Sequence, residues 1–235
     1  MRNIIVFICL VVNRCLQPDI AFASELQHSR AAIGDTLPAS QLLYNGRLWR
    51  DIYVSVREDQ FLFTSEFLPG TVSFNGAVYA GLKVRYDLLL DEMHILTGNA
   101  QILQINREMT DEFTLEYAAR EYRFRKLVFR DYPDLSGFVD IRYEGQSLLF
   151  LKHKKEISKT APGKSYENFV QTDRIYVLTD SIPLRIKSKR DLFRLFGENK
   201  VQVTEYLKKN GIKINSRVPD SMAPALQYFD SINKK

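Results

Sequence analysis

With 235 residues, 45% of them apolar and 26% charged, the chain has ordinary globular composition, which excludes a disordered polypeptide. The length suits one large β-rich domain, or one domain with an appendage, whose core needs neither metal nor disulfide. The formal charge is +5, and both cysteines, Cys9 and Cys15, stand near the N-terminus; a chain starting at Ser24 has none, which excludes thiol catalysis, thiolate metal sites and disulfides.

Arg2 precedes the apolar run Ile4–Val12, and Ala21-Phe22-Ala23 gives the small-x-small pattern read by signal peptidase. Residues 1–23 are therefore expected to be a signal peptide cleaved after Ala23, although the intervening NRCLQPDI is long and carries Arg14 and Asp19. The run is too short to span a bilayer, which takes about 20 apolar residues, and no later segment approaches that length. Neither cysteine has the context of a lipoprotein signal, and there is no Asn-x-Ser/Thr sequon. A periplasmic or secreted location is expected, and an integral membrane protein is not. Without Arg2, Arg14 and Asp19, 31 basic and 27 acidic residues remain, a formal charge of +4.

Residues 24–40 are small and polar, with Gly34 and Pro38, and read as a flexible leader. From 41 to 187, short aromatic and β-branched runs alternate with turn residues, which predicts an antiparallel β domain. LLYNGRLW, VSFNGAVY and IRYEGQSLLF each set a glycine between two strand-like halves, so Gly46, Gly76 and Gly145 read as hairpin-turn glycines. In KVRYDLLLDEMHIL the pattern predicts a strand over Leu82–Tyr86, a turn around Asp87–Asp91 and a strand over Glu92–Leu96. KHKKEISKTAPGK (Lys152–Lys164) reads as a charged, mobile loop.

From 188 to 235 the periodicity turns helical, and a C-terminal cap packed on the sheet is expected. Ser188-x-x-Asp191 is a helix start signal, with Leu192, Leu195 and Phe196 on one face and Gly197 at the end. A second helix is expected over Glu198–Asn210, with Val203, Tyr206 and Leu207 inward and Gly211 as its stop. A third, over Asp220–Ile232, tolerates Pro224 in its first turn and turns Met222, Leu226 and Phe229 inward. The fold class is thus mainly β with a C-terminal helical segment (α+β): an antiparallel curved sheet or half-open barrel capped by two or three short helices.

KVRYD, YEGQSLLFLKHKK, RIKSKRDLFRLF and VTEYLKKNGIKI, in that order, resemble a group of exported, uncharacterised proteins of Bacteroidetes-type Gram-negative bacteria. The matching positions include Tyr86, Asp87, Gly145, Leu148, Lys152, Ser188, Lys189, Leu192, Tyr206 and Asn210. The resemblance spans about Leu42 to Phe229. It implies export and this fold and carries no activity, because its motifs are hairpin turns and helix caps.

Catalysis needs positioned groups, and the usual ones are scarce. His28 lies in the leader. His153 sits in LKHKKEISK, where neighbouring cations would lower its pKa and repel a metal ion. His94 has Asp87, Asp91 and Glu92 nearby and is the remaining candidate for a base or metal ligand. Strand alternation places Glu92 and His94 on one face and Met93 and Ile95 on the other. The apolar pair claims the core, so His94 is expected to face solvent. Asp111 and Glu112 point to opposite faces and cannot form the facing carboxyl pair of a glycosidase. No G-x-S-x-G, phosphate loop, HExxH or EF-hand occurs. No catalytic, cofactor-binding or metal residue is assigned, and no cofactor is expected.

Pro183–Arg217 carries ten Lys/Arg against Asp191, Glu198 and Glu205. Such a segment suits an anionic envelope surface or an acidic protein partner, and export argues against nucleic acid. The expected function is that of an exported, non-enzymatic envelope protein serving as a binding or structural module. Two alternatives stand beside it: a periplasmic carrier of lipid or another hydrophobic ligand in a cavity between sheet and helices, and a hydrolase whose acids converge from distant positions.

Overall fold

Aromatic and β-branched runs separated by turn residues do form strands here, and they form one sheet. The computed structural model describes residues 39–159 and 167–233. The expected signal peptide, most of the leader, Cys9, Cys15 and His28 lie outside the described residues. A short helix α1 (Ala39–Leu43), whose Leu43 is fully buried, leads to β1 (Arg47–Leu48). A long connection then reaches β2 (Leu68–Phe74), β3 (Ala77–Asp87), β4 (Glu92–Leu96) and β5 (Ile102–Gln104). After a 3-10 turn at Arg107–Met109 come β6 (Thr110–Tyr117), β7 (Arg120–Leu127), β8 (Gly137–Glu144), β9 (Leu148–Lys159), β10 (Glu167–Thr179) and β11 (Ile182–Ile186). Helices α2 (Lys189–Leu195), α3 (Lys200–Lys209) and α4 (Ala223–Ile232) complete the chain.

All neighbouring strands pair antiparallel, in the order β1-β5-β4-β3-β2-β6-β7-β8-β9-β10-β11. The ladder stays open, with β1 and β11 as its edges, so the fold is the expected antiparallel sheet with a helical cap and not a closed barrel. Curvature nevertheless brings β9 against the β3–β4 turn, where the Lys155 N–H donates to Leu88 O at 3.2 Å. The 57–62 segment bridges the same gap. Phe61 pairs with Asp87, Arg57 pairs with Asn168, and the Lys155 ammonium donates to the carbonyls of Asp59 and Phe61 at 2.7 Å each.

Of Lys152–Lys164, expected as loop, Lys152–Lys159 is instead the outer part of β9, paired residue by residue with β10, and 160–164 lie outside the described residues. The three glycine motifs also serve three different ends. Asn75 and Gly76, at φ 50° and 76°, make the tight β2–β3 turn. Gly46 closes no hairpin; it lies where a Cβ would run into the Gln104 carbonyl of β5. Gly145 sits in the β8–β9 turn, where a Cβ would meet Tyr143 and Asp230.

The helical start signal works as read. Ser188 accepts from the Asp191 N–H, and the Asp191 carboxylate accepts from the Ser188 N–H at 2.9 Å, a complete capping box. The expected third helix is split into a 3-10 turn at Pro219–Met222 and α4, with Pro224 in the first turn.

Strand alternation sorts the interior into layers. One face of the β2–β7 half carries Val72, Phe74, Tyr86, Phe113 and Phe124 in the larger core. Farther along the same face, Leu149 and Val177 meet Leu192, Phe196, Val203, Met222 and Leu226 of the cap, all at most 1% exposed. The opposite face of β8–β10 holds a smaller cluster of Val139, Phe150 and Tyr176, covered by Leu135. Between the two cores of the first face runs a row of charge: Asp140, His153 and Asp173.

Candidate functional site

His94 does not face solvent. It is fully buried, because the chain after β1 folds over the second face of β4. Trp49 lies 5.2 Å and Phe61 5.8 Å from its ring, centroid to centroid. Its cross-strand neighbour Arg85 lies between aromatic faces, 3.6 Å from Phe61, 4.5 Å from Phe67 and 4.7 Å from Trp49. Neither nitrogen of His94 has a hydrogen-bond partner. Burial, reinforced by Arg85, drops its pKa to about 3, so the ring is neutral. Burial also lowers Arg85 to about 10, and of its guanidinium nitrogens one donates to the Ser65 carbonyl at 2.9 Å while Nε and another terminal nitrogen have no hydrogen-bond partner.

The three acids near His94 in sequence go elsewhere. Asp87 ends β3 fully buried and accepts from the Leu89 and Leu90 N–H groups at 2.9 and 3.1 Å, which organises the turn; burial raises its pKa to about 6. Asp91, at φ 56°, accepts from the Tyr86 hydroxyl and from Arg107 at 2.6 Å, with the Lys152 ammonium 3.5 Å away. Glu92 is half-buried 3.9 Å from Arg47, and burial raises its pKa. None of them bonds to the imidazole.

His153 is the histidine that acids do surround, and the expectation of a lowered pKa is reversed. Register places Asp173 opposite it on β10, and its Nδ1 is 2.7 Å from Asp173 Oδ1. Its Nε2 is 3.1 Å from Asp140 Oδ2. Burial alone would lower its pKa, but the bonds to Asp140 and Asp173 prevail and raise it. The Lys152 and Lys154 side chains point to the opposite face of β9, which is why sequence neighbours mislead. Asp140 also accepts from Arg142 at 2.5 Å, and Asp220 of the cap accepts from Arg120 and lies 3.5 Å from Arg142. One signal for this cluster was available: Asp140 interrupts the apolar run Phe138–Ile141. Among the described residues, no group of three or more His, Cys, Asp or Glu is arranged to hold a metal ion.

Asp111 and Glu112 do alternate. Asp111 is exposed, and Glu112 bonds Arg123 at 2.7 Å and Arg125 at 3.2 Å on the face away from the core, where Glu144 completes a four-residue ion network. All ten Lys/Arg of 183–217 are exposed. Among the described residues their carboxylate contacts are limited to Arg194 with Asp191, at 3.9 Å. No helix among the described residues is long and apolar enough to cross a membrane.

Two adjoining clefts open at the β1–β5 end of the sheet and share Arg47, Glu92 and Gln104. The first, of about 440 Å³, is lined also by Trp49, Tyr53 and Gln60. The second, of about 480 Å³, is lined also by Asn45, Asn106 and Arg107. Strand and helix periodicity do not mark this groove; the single tryptophan of the chain, Trp49, is its one marker in the sequence.

No protein-family model, no curated protein and no solved structure matches the chain.

Proposed function

We propose that the protein is an exported, non-enzymatic binding module of the cell envelope that docks on an anionic surface through its basic 183–217 segment. The observation that carries this reading is the exposure of all ten cations of that segment, with a single ion pair to them among the described residues. Unpaired surface cations sum into a field that attracts anionic headgroups or acidic polymers, at roughly 1 kcal/mol per residue near a charged leaflet. The helices bearing them are held by a filled core, so the basic face is presented on a firm support. The same filled core occupies the volume that a lipid carrier would need. The described histidines support a non-catalytic role: His94 is sealed among aromatic rings, and both nitrogens of His153 are engaged by carboxylates. Export rests on the N-terminal pattern and on the resemblance to exported proteins.

Two measurements test the reading. Fractionation of expressing cells is expected to place a chain starting at Ser24 outside the cytoplasm; a cytoplasmic chain retaining residues 1–23 overturns export. Co-sedimentation with phosphatidylglycerol-containing vesicles is expected to exceed that with phosphatidylcholine alone and to fall with salt. Replacing Lys189, Arg190, Lys208 and Lys209 by Gln is expected to remove the difference, and equal binding by the variant overturns the docking surface.

A further inference from the structure

We propose that the groove at the β1–β5 edge is a binding site for a β-linked oligosaccharide of equatorially substituted pyranoses. It lies at the opposite end of the strand order from the basic cap and does not depend on that surface.

The lining sets the ligand class. Arg47, Glu92, Gln104, Asn45 and Asn106 are planar polar groups that each offer paired donors or acceptors, the geometry that vicinal hydroxyls satisfy. Charge is nearly balanced. Arg47 lies 3.9 Å from Glu92, Arg50 lines the first cleft and Glu108 the second, while Arg107 is committed to Asp91. A balanced lining asks for a neutral, hydroxyl-rich ligand. Trp49 and Tyr53 supply aromatic surface, whose negative π-face attracts the C–H face of an equatorial pyranose. Each cleft falls within the roughly 300–1,000 Å³ of small-molecule sites.

The tryptophan is fixed in place. Its ring is touched by Arg85, by His94 and, edge-on at 6.0 Å, by Phe61. This gives the buried Arg85–His94 pair a purpose. Buried nitrogens without partners cost about 1–3 kcal/mol each, and this pair accumulates four of them against one half-buried tryptophan. Stability given up at one place to hold a side chain rigid is the mark of a preorganised site. An extended peptide adding to the sheet edge fits less well, because β1 offers only two residues of ladder.

Trp49 is the only tryptophan, so tryptophan emission, excited selectively over the twelve tyrosines, reports on this groove alone. The full chain is titrated with cellotetraose, with chitotetraose and with an alternating Val-Thr hexapeptide. A saturable change in emission with at least one tetrasaccharide is expected. The Arg47→Ala/Gln104→Ala variant is expected to raise the midpoint roughly tenfold or more, the effect of losing a hydrogen-bonding pair, with an unchanged melting temperature. Should that variant melt lower, Arg47→Gln is read in its place. No saturable change with either sugar, a change with the hexapeptide alone, or an unshifted midpoint in the variant overturns the proposal.

Discussion

Gly137 stands where any side chain would run into the carboxylate of Asp91, and its φ of 113° lies in the region that only glycine adopts freely. The two residues join the start of β8 to the β3–β4 turn, 46 positions apart in sequence. Asp91 there gathers the Tyr86 hydroxyl, Arg107 and Lys152, while Lys152 also donates to the Phe138 carbonyl at 3.0 Å. Gly137→Ala is expected to destabilise by about 3–5 kcal/mol, the sum of backbone strain and displacement of a partly buried ion cluster. In an Asp91→Ala background the closest clash is gone, and what remains is with the flexible tips of Arg107 and Lys152, 2.6 and 2.9 Å from such a Cβ, so the added cost of Gly137→Ala should fall to about 1–2 kcal/mol. Urea unfolding of the four proteins measures both numbers, and additive losses would refute the contact.

His94 makes the fold sensitive to acid. Its folded pKa, about 3, lies below the ordinary 6.5, so the unfolded chain takes up a proton that the folded one refuses. The contribution is fully present above pH 6.5 and is lost as pH falls towards 3, by up to roughly 4–5 kcal/mol. Asp87, raised to about 6, acts with the opposite sign over pH 4–6, so the wild-type profile alone mixes two slopes. The difference between wild type and His94→Leu isolates the histidine. That difference is expected to move in favour of the variant on going from pH 7 to pH 4, and a flat difference would place His94 in contact with water.

The contrast between these residues shows what a single sequence carries. The Asn75-Gly76 turn, the Ser188 capping box and the inward faces of α3 and α4 depend on neighbours within four positions, and all were legible. The burial of His94 depends on residues 49–61 folding over a strand face that alternation alone assigns to solvent. The partners of His153 lie 13 and 20 positions away and are brought in by strand register, which periodicity does not specify. The groove at the edge escapes for the same reason, since its lining comes from four separate segments.

His153 works in the opposite direction from His94. Its folded pKa is raised, so its contribution is full below pH 6.5 and is lost as pH climbs through the raised value. Substitution by Gln leaves Asp140 buried beside the gap, and a loss of about 1–3 kcal/mol is expected at pH 6. The loss should shrink between pH 6 and pH 9. Chemical denaturation at three pH values checks the trend, and a loss that grows with pH would mean that the ring is neutral when folded.

The β6–β7 hairpin turns through Ala118 and Ala119 at φ 51° and 59°, the same geometry that Asn75 and Gly76 use between β2 and β3. Alanine is strained there, whereas Asn and Gly are not. Replacing the pair by Asn-Gly is expected to stabilise by about 1–2 kcal/mol. The check is a thermal melt, and a lowered midpoint would show that the turn is held by something other than its own backbone.

Asp230 is the acidic anchor of the cap. It is buried on α4, accepts from the Tyr143 hydroxyl and the Ser147 N–H at 2.9 Å each, and bonds the Ser147 hydroxyl. Gly145 is small so that this carboxylate can reach the β8–β9 turn. Asp230→Ala leaves a buried N–H and hydroxyl without an acceptor, which costs about 2–4 kcal/mol. The cap and the β2–β7 half have separate apolar cores, so the loss should fall on the cap. Amide hydrogen exchange is expected to accelerate in α2–α4 and in β10–β11 while β2, β3 and β6 keep their protection. Equal acceleration throughout would show that the two cores unfold as one, and the row of charge between them would then be a coupling element and not a boundary.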